Sequence, residues 1–454
     1  MKYGNRITIA YIGGGSVNFG WEFISALADS GIVAQVNLYD TEQRLSLANA
    51  AVGNKLREVK QCHGDVIYVT SEKPEEALRN ADFAVLSISC GRPDEAAAEL
   101  IIPEGCGIYQ SCGESTGPGA VIKALKTLPV YIKYAEMIKQ FCPNAWVLTL
   151  TNPMAECIMA MKRVFPEMKT VGISGDINQT RSIAAKFASE ALKTEVRPRD
   201  IKTNLLGISG FSWFDEMTYK GTDIIPIFKK YAEAYGDSGY EDKPGDYRTS
   251  PMKSGCRIKF DLFLRYGVIP AVSDRIIADY FGTQYLSSPK VLSSWMQIQT
   301  TVHYLKKTQL DRINSVKEYM TGEKVLNVAP QTETVSVIRA LMGMGNFITN
   351  AVLPNSGQVS GLPEGTAVET NALVSCGSVR PVSAGKLPQP LMGITMNRIY
   401  NRSIIVDSVF KKDFDIAFNA FLDDPLMTID RNSAAKLYTD MLTAVRSNLM
   451  YYMN

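Results

Sequence analysis

The sequence predicts an α/β fold in which a doubly wound, mainly parallel sheet fills the first part of the chain and a mainly helical α+β part follows. Three observations indicate this. Apolar strand patterns alternate with amphipathic helical patterns, a glycine turn joins the first strand to the first helix, and the alternation stops near residue 200. A chain of 454 residues is longer than a single typical core, so we expect two domains, 1–200 and 201–454.

The first predicted strand, at 7–12, leads directly into a glycine turn with a helical pattern behind it. The turn consists of Gly13, Gly14, Gly15 and Ser16. Glycines let the backbone approach a pyrophosphate closely, and the free amides at the start of a helix attract its negative charge. The turn alone is weak support for a dinucleotide, because Asn18 stands where a third glycine is expected.

The second predicted strand, at 36–39, strengthens that interpretation because it ends in Asp40, 25 residues after Gly15. A carboxylate at this position can accept hydrogen bonds from the adenosine ribose, and it would repel the 2′-phosphate of NADP. The turn and Asp40 together predict NAD as the cofactor. The alternative is an ordinary βαβ turn in which Asp40 caps the next helix.

The other elements of the first part continue the alternation. Further strands are predicted at 66–70, 83–89, 146–150, 170–173 and 204–208, with helices at 45–60, 120–140, 155–164 and 179–192. Strands that alternate with helices pair in parallel, and ligands then bind at the carboxyl ends of the strands. The second part shows helical patterns at 224–235, 258–266, 291–306, 334–341, 410–421 and 433–448. The polar, glycine-rich segment 236–245 is predicted to be a mobile loop over the cleft.

Composition excludes several classes of protein. With 48 basic and 46 acidic residues, the chain has no charge excess for nucleic acid or an anionic membrane. No apolar run is as long as a membrane span and no secretory signal pattern is present, so we expect a cytoplasmic protein. Eight cysteines without C-x-x-C spacing and only two histidines, His63 and His303, leave little for a zinc site or imidazole catalysis.

Two polar side chains, Asn152 and Glu114, lie in predicted loops where the hydrophobic core does not require a polar residue. Asn152 comes after the strand that ends at 150, and the proline behind it stops that strand. Glu114 lies in a second glycine-rich loop before a helix, where it could meet a substrate hydroxyl. The alternatives are a helix-capping asparagine and a solvated acid near a helix start.

Several segments, in order along nearly the whole chain, resemble glycoside hydrolase family 4, close to its α-galacturonidase branch. The segments are Tyr-Ile-Gly-Gly-Gly-Ser at 11–16, Ile-Pro-Glu-Gly-Cys-Gly-Ile-Tyr-Gln at 102–110, Thr-Asn-Pro-Met at 151–154, Phe-Ser-Trp at 211–213, Pro-Ala-Val-Ser-Asp-Arg at 270–275 and Pro-Asn-Ser-Gly-Gln-Val at 354–359. The resemblance implies an NAD-dependent glycosidase with a small carbohydrate substrate, usually a homodimer or homotetramer. Family members oxidise sugar C3 with NAD, remove the C2 proton, eliminate the aglycone and return the hydride after water adds, usually with manganese.

The chain departs from the family at the metal. Where the resemblance implies a cysteine ligand the chain has Ser174, and where it implies a histidine it has Gly210. Glycine cannot coordinate a metal and a neutral serine hydroxyl is a poor substitute for a thiolate, so we expect the customary site to be absent. Asp176 and Asp215 could instead rebuild an oxygen-ligand site for magnesium or calcium.

The resemblance also suggests which side chains act. Asp274 ends one of the matching segments and is the predicted base at C2, with Tyr240 and Tyr280 as alternatives. Asn152 would orient sugar hydroxyls and Glu114 would accept one. Arg275, Arg181 or Lys259 could stabilise the enolate without metal. Three functions stay open: a glycosidase, a glycoside 3-dehydrogenase that does not cleave, and a catalytically silent NAD-binding relative.

Overall fold

The computed structural model describes residues 6–17, 19–59, 62–324, 326–329 and 332–453. Asn18 and the end of the predicted helix at 60 lie outside the described residues. Six strands lie in the first part: β1 Ile7–Ile12, β2 Val33–Tyr39, β3 Asp65–Thr70, β4 Phe83–Leu86, β5 Trp146–Thr149 and β6 Lys169–Gly172. Seven follow: β7 Ile201–Ile208, β8 Phe211–Tyr219, β9 Thr222–Asp223, β10 Ile269–Pro270, β11 Phe347–Pro354, β12 Ala367–Ser375 and β13 Ser378–Pro381.

The six strands of the first part form a parallel sheet in the order β3-β2-β1-β4-β5-β6. This is the order of a Rossmann-like domain, and it confirms the predicted doubly wound fold. The direction of winding reverses between β1 and β4, so a crevice opens there at the carboxyl ends of the strands. The loops after β1, β4, β5 and β6 line that edge.

The second part of the chain adds three strands to the same sheet. β11 runs antiparallel beside β6, with Val352 opposite Gly172, and β12 and β13 follow in antiparallel order. A separate antiparallel sheet contains β10, β8 and β7, with β9 on β8. The proposed boundary at residue 200 coincides with a 3-10 turn, Pro198–Asp200, that precedes β7. That boundary stays a prediction, and it does not separate the two sheets, since 347–381 complete the first one.

Helices cover both faces of the sheet and build most of the second part. In the first part they are α1 Phe19–Ala28, α2 Gln43–Leu56, α3 Pro74–Leu78, α4 Pro93–Glu104, α5 Pro118–Phe141, α6 Met154–Val164 and α7 Asn178–Leu192. The rest are α8 Ile225–Tyr235, α9 Arg257–Tyr266, α10 Asp274–Ala278, α11 Thr283–Leu286, α12 Pro289–Ser294, α13 Val302–Thr321, α14 Glu333–Leu341, α15 Gln389–Lys411, α16 Phe414–Leu422 and α17 Arg431–Ala444. No helix in this described set is long and apolar enough to cross a membrane.

Two predicted helices are wrong because the chain breaks inside them. The pattern at 291–306 spans the end of α12, an irregular stretch with Met296 at φ +56°, and the start of α13. The pattern at 410–421 spans the end of α15 and most of α16, which are separated at Lys412 with φ +54°. The Asp413 carboxylate then accepts two amide hydrogen bonds and starts α16. Apolar periodicity indicates a buried face, and it continues across such breaks.

Apolar residues of the central strands are buried on both faces of the sheet. Ile9 and Tyr11 of β1 pack with α1 and α14, whereas Ala10 and Ile12 pack into the core formed with α5, α6 and α15. Burial on both faces explains why these strands show continuous apolar runs rather than alternation. It also makes the central sheet a rigid base for the loops at its carboxyl edge.

Candidate functional site

The glycine turn after β1 is held between two strands. The amides of Gly13 and Gly14 both donate to the Tyr39 carbonyl, at 2.9 and 2.8 Å. Gly13 has φ +92°, and a Cβ there would lie 1.9 Å from the carbonyl oxygen of Ser87. Only glycine fits this approach of β1 to β4, so the turn after β1 is held close to β2 and β4.

Asp40 contacts this turn directly. Its Oδ2 accepts from the Gly15 amide at 2.8 Å and its Oδ1 accepts from the Glu42 amide at 2.9 Å. Helix α2 begins after Glu42 with no side-chain cap, so Asp40 closes a turn and does not cap the helix. Each carboxylate oxygen has a second lone pair, and the half-buried carboxylate can still accept from a ribose hydroxyl.

Asn49 of α2 fixes the same turn from behind. Its Nδ2 donates to the carbonyls of Gly14 and Ser16, at 2.8 and 2.9 Å. A Cβ on Gly15 would meet the Leu45 Cβ at 2.7 Å and the Asp40 carboxylate at 2.9 Å. A side chain at position 15 would therefore disturb the protein's own packing, so Gly15 has a steric reason within the protein itself. The sequence pattern does not single out Asn49, which lies in an ordinary helical stretch.

A cluster of four polar side chains joins the loop after β5 and the loop before α5 to the helices α5 and α10. Asn152 Nδ2 donates to Glu114 Oε2 at 3.3 Å, while Lys123 Nζ and an Arg275 nitrogen lie 3.7 and 3.8 Å from Glu114 Oε1. Thr151 holds the Asn152 loop in place, because its hydroxyl accepts from the Ile88 amide at 2.8 Å. The structure thus brings together three of the predicted site residues and adds Lys123.

The charges in this cluster keep Glu114 ionised. Burial alone would raise the pKa of Glu114, but the neighbouring Lys123 and Arg275 and the hydrogen bond from Asn152 lower that pKa to about 2. About a third of the Glu114 side chain is exposed, at 33%, so a ligand can reach the carboxylate. The cluster therefore presents a fixed anion between two cations and an amide, which can hold and polarise hydroxyl groups.

Asp274, the predicted base, lies apart from this cluster. Its side chain is 0% exposed, and Oδ2 accepts from the Ile258 amide of α9 at 3.2 Å. The neighbouring Lys259 donates to the carbonyls of Pro270 and Val272. Burial raises the pKa of Asp274, and Lys259 partly opposes that shift. Asp274 joins α9 to the start of α10, and it has no surface in this structure that a substrate could touch.

Tyr240 also lies away from the cluster, in a ring-packed corner of the second part. Its ring packs edge-on against Phe187 with centroids 4.8 Å apart, and Lys186 lies over its other side. The surrounding segment is a folded turn, because the Glu241 carboxylate accepts from the Gly245 and Tyr247 amides. The segment 236–245, which the sequence predicts as a mobile loop over the cleft, is therefore a folded loop that packs against the neighbouring helices.

Tyr280 occupies the space beside Gly210, one of the two positions at which the family resemblance implies a metal ligand. Gly210 has φ +80°, and a Cβ there would lie 2.7 Å from the Tyr280 hydroxyl and 3.1 Å from Ser115. Arg402 donates to that hydroxyl at 2.9 Å and to the Ser209 carbonyl at 2.8 Å. Burial raises the pKa of Tyr280 to about 12 despite the nearby Arg402. The neutral, hydrogen-bonded phenol of Tyr280 therefore occupies the space beside Gly210, where the resemblance implies a metal ligand.

The second such position, Ser174, is engaged internally. Its hydroxyl accepts from the Asp176 amide at 3.2 Å, and its carbonyl accepts from Asn350 at 2.9 Å. Asp215 is exposed and binds Asn204, so it does not join Asp176 in an oxygen-ligand site. Across the described ranges, no group of three or more His, Cys, Asp or Glu side chains is placed to hold a metal. The residues present do not fit the customary ion.

Below Ser174 lies a fully buried acid that the sequence pattern does not reveal. Glu369 of β12 is 0% exposed, and its Oε1 accepts from Asn350 at a long 3.4 Å. Burial, with a smaller contribution from Asp176, raises the pKa of Glu369 to about 7.

Arg181, a candidate for enolate stabilisation, lies 3.6 Å from the Glu333 carboxylate and donates to the Thr203 hydroxyl. It is thus committed to an ion pair at the same sheet edge.

Comparison with known proteins agrees with this architecture. The family model described as family 4 glycosyl hydrolase matches residues 8–189, and that of its C-terminal domain matches residues 205–427. An alpha-galacturonidase from Thermoanaerobacterium saccharolyticum is 38% identical over 448 residues, which is 98% of this chain and 96% of that protein.

Solved structures extend the likeness to three dimensions. A Bacillus subtilis structure described as a glucosidase, lplD, is 35% identical, with a TM-score of 0.90 over 96% of this chain and 100% of that one. A 6-phospho-alpha-glucosidase from gut microorganisms, solved in complex with NAD and Mn2+, is 19% identical and shares the fold, with a TM-score of 0.79 over 98% and 99% of the two chains. This chain therefore belongs to glycosyl hydrolase family 4.

Proposed function

We propose that the protein is an NAD-dependent glycosidase that acts on α-galacturonides by transient oxidation at C3, without the customary manganese site. The observation that carries this proposal is the Glu114 cluster, which stands at the carboxyl edge of the sheet beside an intact glycine turn and Asp40. The 38% identical relative is named an alpha-galacturonidase, which favours a uronide as substrate. A family member without function would not be expected to keep both the turn and the cluster.

The glycine turn and Asp40 would hold NAD. The turn joins β1 to α1 at the carboxyl edge of the sheet, and Asp40 lies at the end of β2 where the ribose of a dinucleotide is bound. When bound, NAD supplies the acceptor for the hydrogen removed from sugar C3 and returns it after cleavage. The repulsion between Asp40 and a 2′-phosphate favours NAD over NADP.

The Glu114 cluster would bind and polarise the sugar. Asn152 orients a hydroxyl, and ionised Glu114 accepts a hydrogen bond from one. Arg275 and Lys123 carry positive charge beside the oxygen that becomes negative once the C2 proton leaves. Preorganised donors of this kind can provide part of the stabilisation that a metal ion gives elsewhere. The assignment of Asp274 as the base has the least support, because Asp274 is buried apart from these groups.

One experiment separates this function from its alternatives. The protein is incubated with NAD and aryl α-galacturonide, with the matched neutral α-galactoside as control, and both NADH absorbance and aglycone release are followed. Aglycone release from the galacturonide without net NADH is the expected result. Stoichiometric NADH without aglycone would instead identify a 3-dehydrogenase, and neither signal would indicate a silent relative.

The setting in which the protein works is part of the same proposal. Its eight cysteines are all unpaired, which suits a reducing compartment such as the cytoplasm. The family resemblance suggests a homodimer or homotetramer. Light scattering on the purified protein would test the oligomeric state directly.

A further inference from the structure

Two buried aspartates from the second part of the chain hold the loop that carries Glu114. We infer that Asp279 and Asp424 are positioning residues that fix the Glu114 carboxylate within reach of Asn152 and the two cations. The inference rests on the proposed function of Glu114, and it concerns residues outside the cluster itself.

Asp279 binds the loop on the amino-terminal side of Glu114. Its Oδ1 accepts from the Ser111 amide at 2.7 Å, and its Oδ2 accepts from the Cys112 and Gly113 amides at 3.0 and 2.7 Å. Asp279 is 1% exposed, so these three bonds are made away from water. Three consecutive amides on one carboxylate fix the backbone up to the residue before Glu114.

Asp424 binds the loop on the other side. Its Oδ2 accepts from the Gly117 amide at 2.9 Å and from the Thr116 hydroxyl at 3.2 Å. Arg398 donates to the same oxygen and to the Thr116 hydroxyl, each at 2.6 Å, so the aspartate is fully paired within the protein. Glu114 therefore stands between two fixed points, the Gly113 amide one residue before it and the Thr116 hydroxyl two residues after it.

The same helical turn that supplies Asp279 also supplies Arg275, four residues earlier. Thr300 links Arg275 to the loop held by Asp279, since the Thr300 hydroxyl accepts from Arg275 Nε at 3.3 Å and donates to the Ser111 carbonyl at 3.2 Å. Glu114 and the cation beside it are thus placed by one connected set of bonds. A carboxylate with weak, 3.7 to 3.8 Å contacts to its cations depends on such support for its position.

The pKa of Glu114 distinguishes a positioning role of Asp279 and Asp424 from a purely structural one. The groups that face Glu114 are Lys123 of α5, Arg275 of α10, Glu99 of α4, Cys112 and Asn152 in the adjacent loops, and Asp176 after β6. Burial raises the pKa of Asp279 to about 7, so Asp279 is already protonated at the acidic pH where Glu114 titrates. Exchanging it for Asn therefore leaves the pKa of Glu114 low unless Glu114 moves. Displacing Glu114 from Lys123 and Arg275 raises that pKa towards its ordinary value of about 4.3.

The test uses the full chain with three variants. Asp279→Asn keeps the shape of the side chain but places an NH2 group opposite one of the backbone N–H groups that Asp279 accepts from. Thr116→Val removes the hydroxyl that donates to Asp424 on the other side of Glu114. Asp82→Asn is the control, because the Asp82 carboxylate also accepts a backbone amide, from Thr8 at 2.9 Å, at the opposite edge of the sheet. The measurements are kcat and KM for aryl α-galacturonide, NAD affinity by calorimetry, and the titration of the Glu114 carboxyl carbon by 13C NMR, assigned with Glu114→Gln.

We expect Asp279→Asn to lower kcat by about 10- to 100-fold with KM changed by less than about threefold, and Thr116→Val to lower it by about 3- to 10-fold. NAD affinity should stay the same, and a Glu114 titration should appear above pH 4 in Asp279→Asn alone. Variants that match Asp82→Asn in kcat, or a Glu114 titration unchanged from the wild type, would overturn the inference. A wild type that does not turn over the galacturonide would contradict the proposed function, and the NMR titration would still decide the positioning role.

Discussion

At the scale of single residues, the site differs from the family pattern by what fills the vacated ligand positions. Gly210 is small because Tyr280 and Ser115 already occupy the space in front of it. The Tyr280 hydroxyl is in turn held by Arg402, whose guanidinium lies 3.5 Å from the Glu156 carboxylate. Hydrogen-bonded Tyr280 and ion-paired Arg402 thus occupy the position where the family resemblance implies a metal ligand, and a histidine at 210 would collide with Tyr280.

This arrangement predicts that Gly210→His, alone or with Ser174→Cys, will not create a manganese site. The imidazole would have to displace Tyr280, and φ +80° is strained for any residue with a Cβ, by about 1–2 kcal/mol. We expect a lower melting temperature and no bound Mn2+ by electron paramagnetic resonance. Gly221→His is the control, since Gly221 has φ +82° and nothing within 4 Å of an added Cβ. Equal stability of both variants and a stoichiometric Mn2+ signal would contradict the prediction.

A second prediction at this scale concerns Glu369, whose pKa is raised to about 7 by burial. Between the unfolded value of about 4.3 and about 7 the native state binds the extra proton, so stability is full below that range and falls as pH rises through it. Glu369→Gln should therefore be more stable than the wild type at pH 8, by an amount on the order of a few kcal/mol, with a much smaller difference at pH 4.5. Thermal unfolding at the two pH values measures this, and a stability gap that does not depend on pH would contradict it.

At the scale of elements, the parts that sequence patterns predict well are those set by local chemistry. The first six strands, the glycine turn and Asp40 follow from apolar runs and glycines that have a direct steric reason, as Gly13 shows. The sequence also singles out Asn152 and Glu114 as site residues one by one, whereas their hydrogen bond to each other is a finding of the structure. These predictions need only the order of elements and the rule that ligands bind at the carboxyl ends of strands.

The elements that patterns miss depend on partners distant in the sequence. β11 and β12 join the first sheet from more than 150 residues away, and no local signal indicates which sheet they extend. Lys123 lies inside the apolar pattern of α5 and is recognisable only once Glu114 is folded against it. Asp274 matches a family segment, but its side chain turns towards the start of α9, a direction that spacing along α10 does not fix.

The contact between Asp40 and the glycine turn after β1 leads to a further prediction. Asp40→Asn should weaken NAD binding by about tenfold or more, because the amide replaces one of the two acceptor oxygens that serve the Gly15 amide, the Glu42 amide and the ribose. The preference for NAD over NADP should shrink at the same time, since the negative charge is gone. Calorimetric titration with both cofactors measures the change. Asp29→Asn, which alters an exposed carboxylate paired with His63, is the matched control and should bind NAD as the wild type does.

At the scale of the whole molecule, the two parts share one sheet and meet at the loop that carries Glu114. The first part supplies the glycine turn, Asp40 and Asn152, while the second part supplies Arg275 and the two aspartates that hold the Glu114 loop. Neither part contains a complete site. Any loss of contact between the parts should therefore affect sugar chemistry before it affects cofactor binding.

The metal requirement is a property of this whole assembly, and we predict that activity survives chelation. Ser174 and Gly210 are engaged or blocked, Asp176 and Asp215 are not brought together, and Arg275 and Lys123 supply positive charge beside Glu114. Arginine and lysine stay with the protein during dialysis against a chelator, whereas a bound ion does not. The aryl α-galacturonide assay is therefore run on enzyme dialysed exhaustively against EDTA, with and without added Mn2+, and metal content is measured on the same samples. The 6-phospho-alpha-glucosidase that was solved with Mn2+ serves as the control for complete removal of the ion. Activity that falls by more than about tenfold on dialysis and returns only with Mn2+ would show that other residues hold a metal, and Arg275 and Lys123 would then be substrate-binding groups rather than its replacement.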